Sequence, residues 1–218
     1  MSESVNRPSD MYERVLDAAE ACYDSSGWAR PTMDEVARVG GVSRGYIYKH
    51  FVNRDGLMLA VLVRRAEMYN QRAHQFIAAQ ENLTEALVKG ILLGVTLAGR
   101  DPYFGKLVSA ATSDPERRID GAMEAAERVT ADLWRPVLEV AHDQGELRPG
   151  IEIDDILEWI TMLSLGLLAN RQVLGITDEA QERQLRTLFA PAIVREAPSA
   201  VTSTGAVRGG RHLPRMTR

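Results

Sequence analysis

The chain has 218 residues, 45% of them hydrophobic, which is enough for one large core or for a small head on a larger body. Its net charge of −4 disfavours a non-specific DNA binder, which is expected to be basic, and its single cysteine rules out an internal disulfide. The N-terminal residues hold no apolar signal segment, and the most apolar stretches, 91–99 and 160–169, are shorter than the roughly 20 residues that span a bilayer, so a cytoplasmic protein is expected.

Residues 1–9 read as a mobile arm. A first helix is predicted from about Asp10 to Ser25, with Met11, Val15, Ala18 and Cys22 on one face. That spacing makes Cys22 a buried core thiol, with a redox sensor as the alternative. Gly27 ends the helix, Trp28 turns back to the core, and Pro31 leads into Thr32. Thr32 can cap a second helix, with Glu35 at the capping-box spacing. Gly40 and Gly41 permit a sharp turn. Val42 can staple into the core, and Ser43 caps a third helix. This third helix carries Arg44, Tyr46, Tyr48, Lys49 and His50 and no acid, with Ile47 and Phe51 as core anchors. Two short helices about a glycine turn, the second basic and aromatic, have the layout of a helix-turn-helix whose second helix enters the major groove. An ordinary helical hairpin is the competing reading.

Charge is distributed to match. Residues 1–60 hold more acids than bases, yet from Arg38 through Arg54 there are four basic residues plus His50 and no acid. A local positive face can meet phosphates while net repulsion disfavours loose association. Weak non-specific affinity and a strong dependence on DNA sequence are therefore expected.

Asn53 caps a long fourth helix, about Arg54 to Ala79, and a fifth spans about Leu83 to Gly99. Asp101-Pro102 opens a short helix. Ser113-Asp114-Pro115 opens another that ends at Gly145, with a kink at Pro136. Two further helices cover about Ile153–Leu174 and Asp178–Glu196, the latter bent at Pro191. The last residues, 198–218, carry four arginines and no acid and read as a disordered tail. The expected fold class is all-α, with about nine helices. The parts are an arm (1–9), a DNA-binding head (10–56), a helical body (57–197) and the tail.

The segments RVLDAAEACYDSSGW, TMDEVARVGGVSRGYIYKHF and VNRDGLMLAVL, together about Arg14 to Leu62, closely resemble the N-terminal domain of the TetR family of transcriptional repressors. The rest of the chain matches that family only in length and helical character. The resemblance implies a homodimer. A three-helix head reads a palindromic operator, and a larger helical domain dimerises and binds a ligand that releases the DNA.

Arg44 is the leading base reader, because a guanidinium pairs bidentately with guanine O6 and N7. Gly45 lets the backbone come close, and Ser43 opens the helix. Tyr46 departs from the small Thr often found here in the family and points instead to a thymine methyl or the sugar backbone. Tyr48, Lys49 and His50 resemble the family's phosphate-contacting residues, with a structural histidine as the alternative for His50. Thr32 and Arg54 stand at helix starts, where free N–H groups can hold phosphate.

The helix over 153–174 repeats apolar residues at 153, 156, 160, 163 and 167, a stripe that suits either the protomer core or a dimer face. By resemblance the last two helices pair with their symmetry mates, which makes Leu163, Gly166, Leu167, Asn170, Leu185, Leu188 and Phe189 interface candidates. A ligand pocket is expected between the helices over 54–79 and 153–174. Its candidates are Tyr69, Phe76, Leu93, Thr96, Tyr103, Phe104, Trp134, Trp159 and Met162, a set that suits a hydrophobic or aromatic ligand. Each is also a plain core candidate. The four histidines match no metal spacing, and no nucleophile elbow or phosphate loop is seen. Neither an enzyme nor a metal or cofactor is expected. A helical adaptor without operator binding is the alternative.

Overall fold

The computed structural model describes residues 8–25, 31–104 and 121–195. The chain is all-α: among the described residues the one β pairing is an isolated bridge between Leu147 and Val194. The helices are α1 (Pro8–Ser25), α2 (Met33–Gly40), α3 (Arg44–His50), α4 (Arg54–Ala78), α5 (Leu83–Arg100), α6 (Ala122–Asp143), α7 (Ile153–Leu174) and α8 (Asp178–Gln184). A π-helical turn (Leu185–Phe189) and the short α9 (Ala190–Ile193) follow α8. Residues 102–104 are also helical, as Asp101-Pro102 predicts. The Gly27–Trp28 turn, the opening at Ser113–Pro115 and the tail lie outside the described residues. So does the arm, except that Pro8 and Ser9 already belong to α1.

Side-chain caps set most helix starts. Thr32, Ser43, Asn53, Asn82 and Thr177 each accept from the backbone N–H three residues on, at 3.1, 3.1, 2.8, 3.0 and 3.3 Å. A cap of this kind stabilises its helix by about 1 kcal/mol. The last helix is not the continuous rod predicted over 178–196. Pro191 has no N–H to give the carbonyl of Thr187. The interruption forms upstream, where the Ala190 N–H reaches five residues back to the Leu185 carbonyl. Arg186 pins this turn to α5 by pairing with Glu85 through both guanidinium nitrogens, and it also bonds Glu182. Hydrogen bonds from Arg186 and Lys89 hold the Glu85 carboxyl down to about 2.

Two apolar cores share α4. The first joins α1, α2 and α3 to the start of α4 through Val15, Leu16, Val36, Ile47, Phe51, Leu57, Val61 and Leu62. The division expected at residues 56/57 therefore cuts through one packed unit. The second core fills a ring in which α4 packs on α5 and α6, and α7 closes the ring against the same two helices. The middle is tight: a Cβ at Gly90 would lie 2.7 Å from Trp134 and 2.8 Å from Ile77. The α8–α9 segment covers α5.

Candidate nucleic-acid interface

Arg14, Gly40 and Gly41 build the turn between α2 and α3. Gly41 takes a left-handed φ of 61° and its N–H closes the end of α2. Gly40 serves a different purpose, because a Cβ there would press on Ala18 at 3.2 Å and on the Arg14 carbonyl at 3.3 Å. The two glycines thus divide the work, one giving the backbone angle and the other letting α1 come close. Arg14 then donates to the Gly40 carbonyl at 2.7 Å and fixes the turn from α1. A cation at a helix C-terminus is favourably placed against the helix dipole. Nothing in the sequence pattern marks Arg14 for this role.

The third helix is anchored by Ile47 and Phe51, both buried, while Ser43, Arg44, Gly45, Tyr48, Lys49, His50 and Arg54 face solvent. Tyr48 is 56% exposed and Val52 90% exposed. Thr32 is exposed at the cap of α2. Gly45 has no internal reason to be glycine, since the nearest atom its Cβ would meet is Ser43 Oγ, 4.0 Å away. Glycine inside a helix costs about 0.5–1 kcal/mol relative to alanine.

Three residues are less free than their sequence suggests. Arg44 pairs with Asp34 in the first turn of α2. Tyr46 is half-buried against the head core, and its ring packs on His50 with centroids 4.4 Å apart. His50 also meets Tyr12 edge-on at 6.1 Å, and Tyr12 stacks on Phe51 at 5.3 Å. His50 is thus a packed residue with one open side. Cys22 lies in the head core, where burial pushes its thiol pKa up, which favours the core reading over the redox one.

The nine ligand candidates do not come together as one site. Tyr103 belongs to the head core and not to the body. Its OH bonds the Glu20 carbonyl and Asp24 of α1, both at 3.1 Å, and Arg65 lies over its ring at 4.4 Å. Burial and then Asp24 raise the Tyr103 pKa. Trp134 is sealed against Gly90, so it fills the bundle centre. Phe76 is exposed on α4, and Trp159 and Met162 are exposed on α7. That leaves Tyr69, Leu93, Thr96 and Phe104. The Tyr69 OH donates to buried Asp101, which also accepts from Arg65 at 2.6 Å. The rings of Tyr69 and Phe104 lie 6.2 Å apart. Thr96 accepts from Arg171 at 3.0 Å, and Leu93 packs on the body core.

The interface candidates also divide. The stripe at 153, 156, 160, 163 and 167 is protomer core: Ile156, Ile160 and Leu167 are buried, with Ile153 and Leu163 packed beside them. Leu185 is likewise buried. Phe189 is partly buried against the same core. The outward face of α7 is offset from the predicted stripe and carries Trp159, Met162, Leu165, Gly166 and Asn170. Trp159 is 60% exposed, and Leu188 on the π turn is 74% exposed. The spacing of Trp159, Met162, Gly166 and Asn170 by three and four residues is a helical face that the sequence does contain.

Residues 15–61 match the family model described as bacterial regulatory proteins, tetR family. That segment is a TetR-family DNA-binding domain, and the relatives and solved structures support a TetR-family transcriptional regulator. The chain is 26% identical over 193 residues to the uncharacterized HTH-type transcriptional regulator Rv1255c of Mycobacterium tuberculosis, covering 88% of this chain and 90% of that one. It is 37% identical to TtgR of Pseudomonas putida over 120 residues, 55% of this chain and 52% of TtgR. The solved structure of RolR in complex with resorcinol shares its fold, with a TM-score of 0.67 at 13% identity over 85% of this chain and 88% of RolR. TetR-family regulators are DNA-binding proteins and not enzymes. No helix among the described residues is long and apolar enough to cross a membrane.

Proposed function

We propose that this TetR-family regulator is a homodimeric repressor whose α3 reads a palindromic operator, and that a small apolar or aromatic ligand in the body releases it. The observation that carries the DNA role is the outer side of α3. Arg44, Gly45, Tyr48 and Lys49 are exposed together, and the helix holds a glycine that internal packing does not require. Arg44 reads a base edge, Gly45 allows close approach, and Tyr48, Lys49, His50, Thr32, Ser43 and Arg54 meet the backbone. Tyr46, turned to the core, acts from beneath by supporting His50.

The outward face of α7, with Leu188, suits a second copy of the chain. Gly166 meets no atom within 4 Å where its Cβ would stand, so a partner helix can approach closely there. Tyr69, Leu93, Thr96 and Phe104 are the ligand candidates that are neither sealed by tight packing nor turned outward. The rings of Tyr69 and Phe104 suit an aromatic ligand such as the resorcinol held by RolR.

Selection of genomic DNA fragments by the purified protein, at a stated near-physiological salt, tests the proposal. A short palindrome is enriched, and Arg44→Ala relaxes the enrichment. An absence of enrichment at every salt refutes operator binding. Sedimentation of a monomer alone at micromolar protein refutes the dimer.

A further inference from the structure

The recognition arginine is not alone on its surface. Asp34, in the first turn of α2, forms an ion pair with Arg44, in the first turn of α3. Side chains of the two residues are 45% and 68% exposed, and a pair so open to water adds little to folding. For phosphate binding an acid has a cost at this place. It stands beside Thr32 at the N-terminus of α2, where backbone N–H groups would otherwise attract phosphate. Four other acids of the head are engaged elsewhere: Glu13, Asp17 and Glu20 pair with Arg64, and Asp24 accepts from Tyr103.

We propose that Asp34 is a specificity-determining residue that holds Arg44 for base reading and denies it to the phosphate backbone. The inference rests on the operator-binding role of α3. A guanidinium carries five N–H donors, and one spent on Asp34 leaves enough for a bidentate pair with guanine. Held at one nitrogen, the side chain keeps one direction. Unheld, it can swing to the nearest phosphate on any sequence. The Asp34 carboxylate also repels phosphates wherever Arg44 finds no base partner. Asp34 therefore lowers affinity for random DNA more than affinity for the operator.

The test is equilibrium binding of wild type, Asp34→Asn, Arg44→Ala and the double variant to the selected operator and to a scrambled duplex, over a series of salt concentrations. Asp34→Asn tightens binding to the scrambled duplex and cuts the operator-to-scrambled ratio roughly ten-fold, within the discrimination that one bidentate arginine carries. Its salt slope on scrambled DNA steepens by about one, as one further phosphate contact requires. In the Arg44→Ala background the same change moves both duplexes equally. An unchanged ratio in Asp34→Asn, or an equal loss of ratio in the presence and absence of Arg44, overturns the role of Asp34 alone. A wild-type protein with no preference for any sequence overturns operator binding itself, and this result is seen before any variant is made.

Discussion

The head and the body use glycine and apolar residues for different ends. In the head each glycine of the reading motif has a single identifiable use. Gly41 gives an angle, Gly40 gives contact with α1, and Gly45 leaves the outer surface open. In the body the same residue type spans opposite extremes. Gly90 is crowded by Trp134 and Ile77, while Gly166 and Gly94 face open space. A small three-helix unit has few ways to satisfy its caps and turn, so its sequence is close to a blueprint. A ring of long helices offers every apolar residue several fates: centre, outer face or ligand wall.

Variants can break this contrast. The largest effect is expected from Trp134→Ala, because removing a sealed core aromatic costs about 3–5 kcal/mol. A thermal unfolding curve that hardly shifts would return Trp134 to the ligand candidates. Gly90→Ala should overpack the same spot and destabilise by about 1–3 kcal/mol, read as a lower denaturant midpoint. By contrast, Gly45→Ala should stabilise the isolated protein by about 0.5–1 kcal/mol while weakening operator binding. A Gly45 variant that loses stability would show that the head has a packing demand at this position.

The head is legible in the sequence because its signals are local. Thr32, Ser43 and Asn53 cap where their sequence places them, and Phe51 closes α3. The features that escape a sequence reading act across the chain. Arg14 bonds a carbonyl 26 residues away, and Asp34 reaches Arg44 over ten. In the body, periodicity locates α4, α5 and α7 but cannot say which stripe faces inward. Ile156–Ile160 and Trp159–Met162 both follow helical spacing, and only the packing of α5 and α6 against α7 separates them. Position along the chain puts Tyr103 in the body, whereas its hydroxyl and ring pack on α1.

The smallest expected effect concerns the clamp at the π turn. The Glu85 carboxyl is held below its ordinary value of 4.5, down to about 2. Its contribution to stability is therefore complete above that ordinary value and is lost as pH falls toward about 2. Glu85→Gln should lower the melting temperature near neutral pH and flatten its decline in acid. Equal acid profiles for the two proteins would show that Arg186 gains nothing from Glu85.

The sharing of α4 between two cores bears on how such a regulator can be rebuilt. Leu57, Val61 and Leu62 belong to the head, while Ala73 and Ile77 of the same helix belong to the body. A graft that moves this head onto another body must carry the chain through Leu62. It must also bring a substitute for Tyr103, which closes the head from a point far downstream of that junction. A splice made at the end of the glycine-turn motif would expose the underside of the head and leave Glu20 and Asp24 without the residue that covers them. Modularity in this chain thus follows the boundaries of packing and not the boundaries of the motif.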